Sequence, residues 1–259
     1  MSSAKVLVIL EGEQPEGNTL ARLQRAFPEE LADISEDLVR VVYMSNVYAL
    51  YAILKENDGF LDITEVLKER FSDNAVLQDL KREDVAQIFL FFDLDIHGKF
   101  LDEACSHLSE LVDFFDNETE NGKLFLSYPM VEAVNICDDS TGLMSEDRKL
   151  FKIENCRGNG FKKFANNLNR DSKSICRANS RENWSKICKA NYEKAGWLMG
   201  RSDEAFEVIL DEMTQRLIFD CQRKLILGEQ TVATLGAFPF FLLEYLGSQK
   251  TMSILRLSL

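Results

Sequence analysis

Residues 88–98 read Ile88-Phe89-Leu90-Phe91-Phe92-Asp93-Leu94-Asp95-Ile96-His97-Gly98, and this stretch decides the fold. Five apolar residues run unbroken into Asp93-x-Asp95, and the run stops at a glycine. A continuous apolar run closed by a turn signal reads as a strand buried on both faces, as in the middle of a parallel sheet. In such sheets ligands gather just past the carboxyl ends of the strands. Two carboxylates placed there, with no basic residue before Lys99, repel each other unless a cation shares them. The stretch is therefore expected to be a metal-binding strand end.

Upstream, Lys5–Leu10 is a second strand-length apolar run, followed at once by Glu11-Gly12-Glu13 and then by Pro15 and Gly17. The spacing of Leu20, Leu23 and Phe27 predicts a helix over 18–27 with Asn18 as its cap, ended by Pro28. Residues 39–44 read as a strand, and 47–55 as a helix capped by Ser45 or Asn46. Residues 61–81 read as further helix. Downstream, 101–115 is an amphipathic helix, 116–122 an acidic turn, and 123–127 a strand broken by Tyr128-Pro129 before another helix. Strand–helix alternation of this kind predicts an α/β domain, a mostly parallel sheet flanked by helices, over residues 1–137.

Residues 138–201 change character and read as a basic, mainly helical module, inserted or appended. Residues 202–259 read as C-terminal helices that pack back on the core, with one long helix over 203–227 and an apolar stretch over 231–246 that Pro239 interrupts. The net charge of −13 hides this division. Residues 1–147 carry 11 Lys/Arg against 31 Asp/Glu, whereas 148–201 carry 14 against 4. A basic segment inside an acidic chain suits either a polyanion partner or a solvated helical face. Lys162, Lys163, Arg170, Lys173, Arg177, Arg181, Lys186 and Lys189 are the candidate nucleic-acid contacts, and Trp184 and Trp197 read as core of that module.

Several classes are set aside. No apolar run approaches the ~18 residues of a membrane helix, and the start of the chain has no signal-peptide pattern, so a cytoplasmic protein is expected. Six scattered cysteines without a CxxC pair, and only two histidines, argue against a zinc site or a disulfide framework. There is no GxxxxGK[ST] loop, so ATPase activity would have to come from a partner. An EF-hand loop begun at Asp93 would need an acid at its twelfth position, which is Ala104.

Three acidic groups fall at the predicted strand ends: Glu11/Glu13, Asp93/Asp95 and Glu132. Carboxylates without histidine or thiolate make a hard oxygen site suited to Mg²⁺ or Mn²⁺ and hence to phosphoryl chemistry. Glu11-Gly12 after the first strand, together with Asp93-x-Asp95 and Gly98 after a later one, resembles the Toprim domain of topoisomerases, primases and overcoming-lysogenisation-defect nucleases. With Glu16 and the Leu126-Ser-Tyr-Pro-Met-Val-Glu132 block, the pattern is similar to the small RloB-like and abortive-infection Toprim proteins over roughly residues 5–135.

That resemblance implies a Mg²⁺-dependent nuclease acting on DNA or RNA in a bacterial anti-phage system, often beside a partner ATPase, and open to self-association. It implies Glu11 as metal ligand or general base, Asp93 and Asp95 as metal ligands, and Glu132 as an added ligand or orienter. Glu13 and Glu16 are further candidates. His97 stands where many Toprim sequences carry another acid. Two alternatives stay open: a non-cleaving interaction subunit of an ATPase complex, and a haloacid-dehalogenase-like phosphatase, although that family carries Asp-x-Asp on its first strand.

Overall fold

A computed structural model describes residues 4–56, 61–96, 100–136, 150–156, 159–171 and 180–256. The chain is an α/β protein built on a five-stranded sheet in the order β2-β1-β3-β5-β4. Its strands are β1 (Lys5–Leu10), β2 (Leu38–Val42), β3 (Val85–Asp93), β4 (Asp116–Asn117) and β5 (Gly122–Ser127). All pairings are parallel except that of the two-residue β4 with β5.

The continuous apolar runs do lie in the middle. Val6 to Leu10 and Ile88 to Phe92 are all buried, as a strand covered on both faces requires. Side chains alternate along β3, so Phe89 and Phe91 share a face with the β5 residue Phe125. That face is covered by a late helix, Ala237–Leu246, whose Phe238 stacks on Phe91 at 4.6 Å and whose Phe241 meets Phe89 edge-on at 5.0 Å. Asp93 continues the same alternation and so belongs to that face.

The crossovers fix what flanks the carboxyl edge. β1 connects to β2 on one side through α1 (Pro15–Ala26) and α2 (Ala32–Glu36). β2 connects to β3 on the other side through α3 (Val47–Lys55), α4 (Ile63–Arg70) and α5 (Ala75–Asp79), and β3 to β5 through α6 (Leu101–Phe114). Because such crossovers are right-handed, opposite directions of travel place α1 on one face and α3 and α6 on the other. α1 accordingly packs on the 237–246 helix, while α3 packs on α6. The directions diverge between β1 and β3, and a crevice opens at such a switch point.

Some boundaries differ from the sequence expectation, each for a local reason. α1 begins at Pro15, not Asn18: proline is at home in the first helical turn, where its missing N–H is not needed. Residues 61–81 form two helices, with Asn74 capping the second through Leu77 N–H. The block after Pro129 is a short 3-10 turn, Val131–Asn135. The segment expected to be mainly helical includes β6 (Leu150–Lys152) before helices α7 (Gly160–Asp171) and α8 (Arg181–Leu198). Thr214 caps a new helix and divides 203–227 into α9 (Phe206–Glu212) and α10 (Gln215–Glu229).

β7 (Thr231–Ala233) pairs antiparallel with β6, and Pro239 sits in the first turn of α11 (Ala237–Leu246), which it does not interrupt. A last helix, α12 (Ser248–Arg256), follows. One buried apolar cluster takes in the sheet together with Trp184 and Tyr192 of α8 and Phe238 and Phe241 of α11.

The segment between β7 and α11 is held by side chains from two helices. Gln222 exchanges two hydrogen bonds with Ala233, at 2.7 and 2.9 Å, and Asn191 Oδ1 accepts from Gly236 N–H at 2.8 Å. The buried Lys194 ammonium donates to the carbonyls of Ile136, at 3.1 Å, and of Thr234. Leu235 and Tyr128 exchange backbone hydrogen bonds at 2.7 and 3.0 Å, which fixes the turn leading to Glu132. Gly236 presses on that turn: a Cβ there would lie 2.6 Å from Val134 Cα and 2.9 Å from Val134 N. Gly236→Ala is therefore expected to cost about 3 kcal/mol by overpacking, a fall in melting temperature of roughly 5–10 °C. An unchanged thermal melt would show that the turn yields freely.

Candidate metal and phosphate site

Glu11 leaves β1 beside β3, its N–H donating to Phe91 O at 3.0 Å and its Oε2 accepting from Asp93 N–H at 2.9 Å. The two halves of the sequence pattern are thus tied directly. Asp93 is 6% exposed and Glu16, in the first turn of α1, is 5% exposed. Asp95 has left the strand in a left-handed conformation, φ 42°, which aspartate tolerates better than most residues. Tyr48 donates to the carbonyl of the intervening Leu94 at 2.9 Å.

Glu16 was a secondary candidate in the sequence, and the fold places it in the centre. Gly12 is the reason. A Cβ at Gly12 would meet Glu16 Oε2 at 3.0 Å, so the absent side chain leaves room for the carboxylate to fold back over the turn. Glu132, on the 3-10 turn, completes the wall and takes Lys162 of α7 as an ion-pair partner at 3.3 Å. Glu13 is exposed.

These carboxylates feel one another. Burial, with the charges of Glu16 and Asp95 adding to it, raises the Glu11 carboxyl to about 7. Burial, with Glu132 adding, raises Glu16 to about 7, partly offset by the amides of Glu16 and Gly12 and by Lys162. Asp93 is pushed well above the usual carboxylate range, first by burial and then by Glu11, Glu16, Glu132 and Asp95 in turn. Asp93 Oδ1, Glu16 Oε2 and Glu132 Oε2 are buried and have no hydrogen-bond partner among the described residues. Buried carboxylate oxygens left this way are costly unless a cation takes them.

The donor chemistry fits a hard divalent ion. The spacing is looser: among the described residues, no three Asp, Glu, His or Cys side chains converge closely enough to hold one.

The basic candidates scatter. Lys162 reaches the acid wall, and Lys163 is exposed on the same helix. Arg181 is committed elsewhere, gripping Glu30 with two bonds of 2.7 Å over the ring of Phe27. Lys186 pairs with Glu182 at 2.8 Å on its own helix, and Lys189 is partly buried. Arg170 falls on α7, while His97, Lys173 and Arg177 lie outside the described residues.

One feature of the edge had no sequence signal. A cleft of about 360 Å³ opens between α1 and the 3-10 turn, with Arg22 on one wall and Glu132 on the other. No helix among the described residues is long and apolar enough to cross a membrane. No protein-family model, curated protein or solved structure matches the chain.

Proposed function

We propose that the chain is a divalent-cation-dependent nuclease of the Toprim type, hydrolysing phosphodiester bonds in DNA or RNA at the edge formed by Glu11, Asp93 and Asp95. The supporting observation is the deeply buried pair Asp93 and Glu16, each with an unpartnered carboxylate oxygen among the described residues, at the point where the crossovers diverge. Asp93 and Asp95 would hold Mg²⁺ or Mn²⁺, with Glu16 and Glu132 behind them. Such an ion, when bound, polarises the phosphoryl oxygen and activates water.

The chain's own groups do the rest. The Asp93 amide orients Glu11, and a carboxyl raised to about 7 is suited to take a proton from water near neutral pH. The buried wall of Asp93 and Glu16 keeps bulk water from screening these charges. On the resemblance, the activity serves anti-phage defence and is released by a partner ATPase. The loose spacing of the donors favours a second reading, in which the carboxylates serve assembly with that ATPase and no strand is cut.

The deciding experiment incubates the purified chain, with and without a co-encoded ATPase, with single-stranded and duplex DNA and RNA in Mg²⁺ or EDTA. Cutting that needs Mg²⁺ and drops by about 10³ in Glu11→Gln, on the scale of losing one preorganised electrostatic group, supports the nuclease. Binding to the ATPase without cutting supports the assembly subunit. Release of phosphate from monoesters alone would favour the phosphatase alternative, and equal cutting by Glu11→Gln would remove the site.

A further inference from the structure

We propose that Lys162 is the chain's own counter-ion for the carboxylate site, and that a divalent cation binds there by exchanging with its ammonium. This rests on the metal-dependent reading above and states how that same site is regulated.

Lys162 Nζ lies 3.3 Å from Glu132 Oε1, while Glu132 Oε2 is buried with no hydrogen-bond partner among the described residues. The two ends of this pair differ in access: the lysine side chain is 47% exposed and the glutamate side chain 12%. The ammonium therefore stands at the opening and the carboxylate inside it. Its charge reaches further in, to Glu16, which is 5% exposed and also keeps an unpartnered Oε2. Among the described residues, the other large charge effects on Glu11, Glu16 and Asp93 come from carboxylates. Buried acids balanced by one accessible ammonium make a cation-exchange site. Hard oxygen donors suit a divalent ion, and a half-exposed ion pair costs little to break.

Packing sets where Lys162 stands. Phe161 and Ala165 of α7 are buried against Ala133 and Ile136, at the turn that carries Glu132. Phe151 of β6 meets Phe161 edge-on at 4.9 Å and Phe164 at 5.1 Å, which closes the cluster. Gly160 seats the start of the helix, since a Cβ there would lie 1.9 Å from Asn155 O. The buried residues of this cluster are distinct from those around the sheet. Lys162 directly follows the buried Phe161, so a helix held in place delivers its ammonium to Glu132. Lysine carries its charge on a flexible four-carbon stem. Rotation about that stem is enough to release Glu132, and neither the helix nor the sheet has to move for the exchange.

The test titrates the full chain with Mn²⁺ and reads the free ion by electron paramagnetic resonance. Lys162→Gln is expected to bind Mn²⁺ about tenfold more tightly than the parent, the scale of one neighbouring positive charge in water. Lys162→Arg keeps the charge and should stay near the parent. Acylation of lysines by a water-soluble active ester, read by mass spectrometry, follows the exchange directly. Saturating Mn²⁺ should make Lys162 react several times faster, while Lys163, exposed on the same helix, should not change. The Lys162 side chain is half-exposed, so circular dichroism of both variants should match the parent. A parent that binds too weakly to titrate, beside a Lys162→Gln that binds, supports the exchange. Equal Mn²⁺ affinity in parent and Lys162→Gln, or no binding by either, would overturn it. So would equal tightening in Lys162→Arg and Lys162→Gln, or Lys162 labelling that Mn²⁺ leaves unchanged. A parent that cuts in Mg²⁺ while Lys162→Gln binds Mn²⁺ no better defeats the exchange alone. Exchange without cutting of any DNA or RNA defeats the nuclease reading alone.

Discussion

Replacing Asp93 by asparagine is expected to abolish cleavage and, in the same molecule, to stabilise the metal-free protein. The shape is nearly conserved, and what disappears is a charge buried among four other carboxylates. If Asp93 holds the ion as proposed, losing its charge should lower the cutting rate by about 10³ or more. The stability effect has the opposite sign. Among the described residues Asp93 forms no salt bridge and its Oδ1 accepts no hydrogen bond, so its ionised form burdens the fold without a compensating contact. Its removal should therefore raise stability by about 2 kcal/mol at pH 8. Urea unfolding in EDTA measures this. An inactive Asp93→Asn that is also less stable would mean that the carboxylate is an ordinary structural group.

The second large effect is the dependence of metal-free stability on pH. Glu11 and Glu16 both have carboxyls raised from 4.5 to about 7, chiefly by burial. Between those values the native state keeps protons that the unfolded chain has released, so the unfolded state binds fewer and stability falls as pH rises. The contribution is fully present below about 4.5 and is lost as pH passes 7. At about 1.4 kcal/mol per unit, and because the two groups share neighbours and do not add, the fall from pH 5 to pH 8 should be about 3 kcal/mol. Comparison with Glu16→Gln in EDTA isolates it, since that variant should vary less with pH. Mg²⁺ at a hundred times its Kd should restore about 2.7 kcal/mol at pH 8. Parallel pH profiles for parent and variant, unmoved by Mg²⁺, would remove the coupled-acid description.

Much of this architecture could be read from residue order. The runs at 5–10, 88–92 and 123–127 are too apolar for a half-exposed strand, and they occupy β1, β3 and β5. Asn46 caps α3 through Ala49 N–H as its position suggested. What escaped the reading depends on distance in sequence or on one residue with two meanings. Pro15 and Gly17 look like a turn, yet they belong to a helix whose first acid, Glu16, is carried into the site. The basic candidates were legible as a group but not individually: Arg181 meets Glu30 across 151 positions, and no local pattern announces it. Lys162 looks like any solvated lysine until α7 is docked beside Glu132. Arg22 has no signal at all, because a helical arginine acquires meaning only from the wall opposite it.

The helix that covers Phe89 and Phe91 has a consequence in time. A ribosome adds about 5–20 residues per second, so Phe238 emerges roughly 7–30 s after Phe91. Until then the aromatic face of β3 lacks the ring that stacks on it at 4.6 Å, and the Tyr128 turn lacks its Leu235 partner. The turn that carries Glu132 is therefore completed only by a stretch made well after the strands it adjoins. A nascent chain carries every acidic residue of the site long before it carries the scaffold that sets them in place. On the proposed nuclease reading, synthesis itself would act as the safety catch.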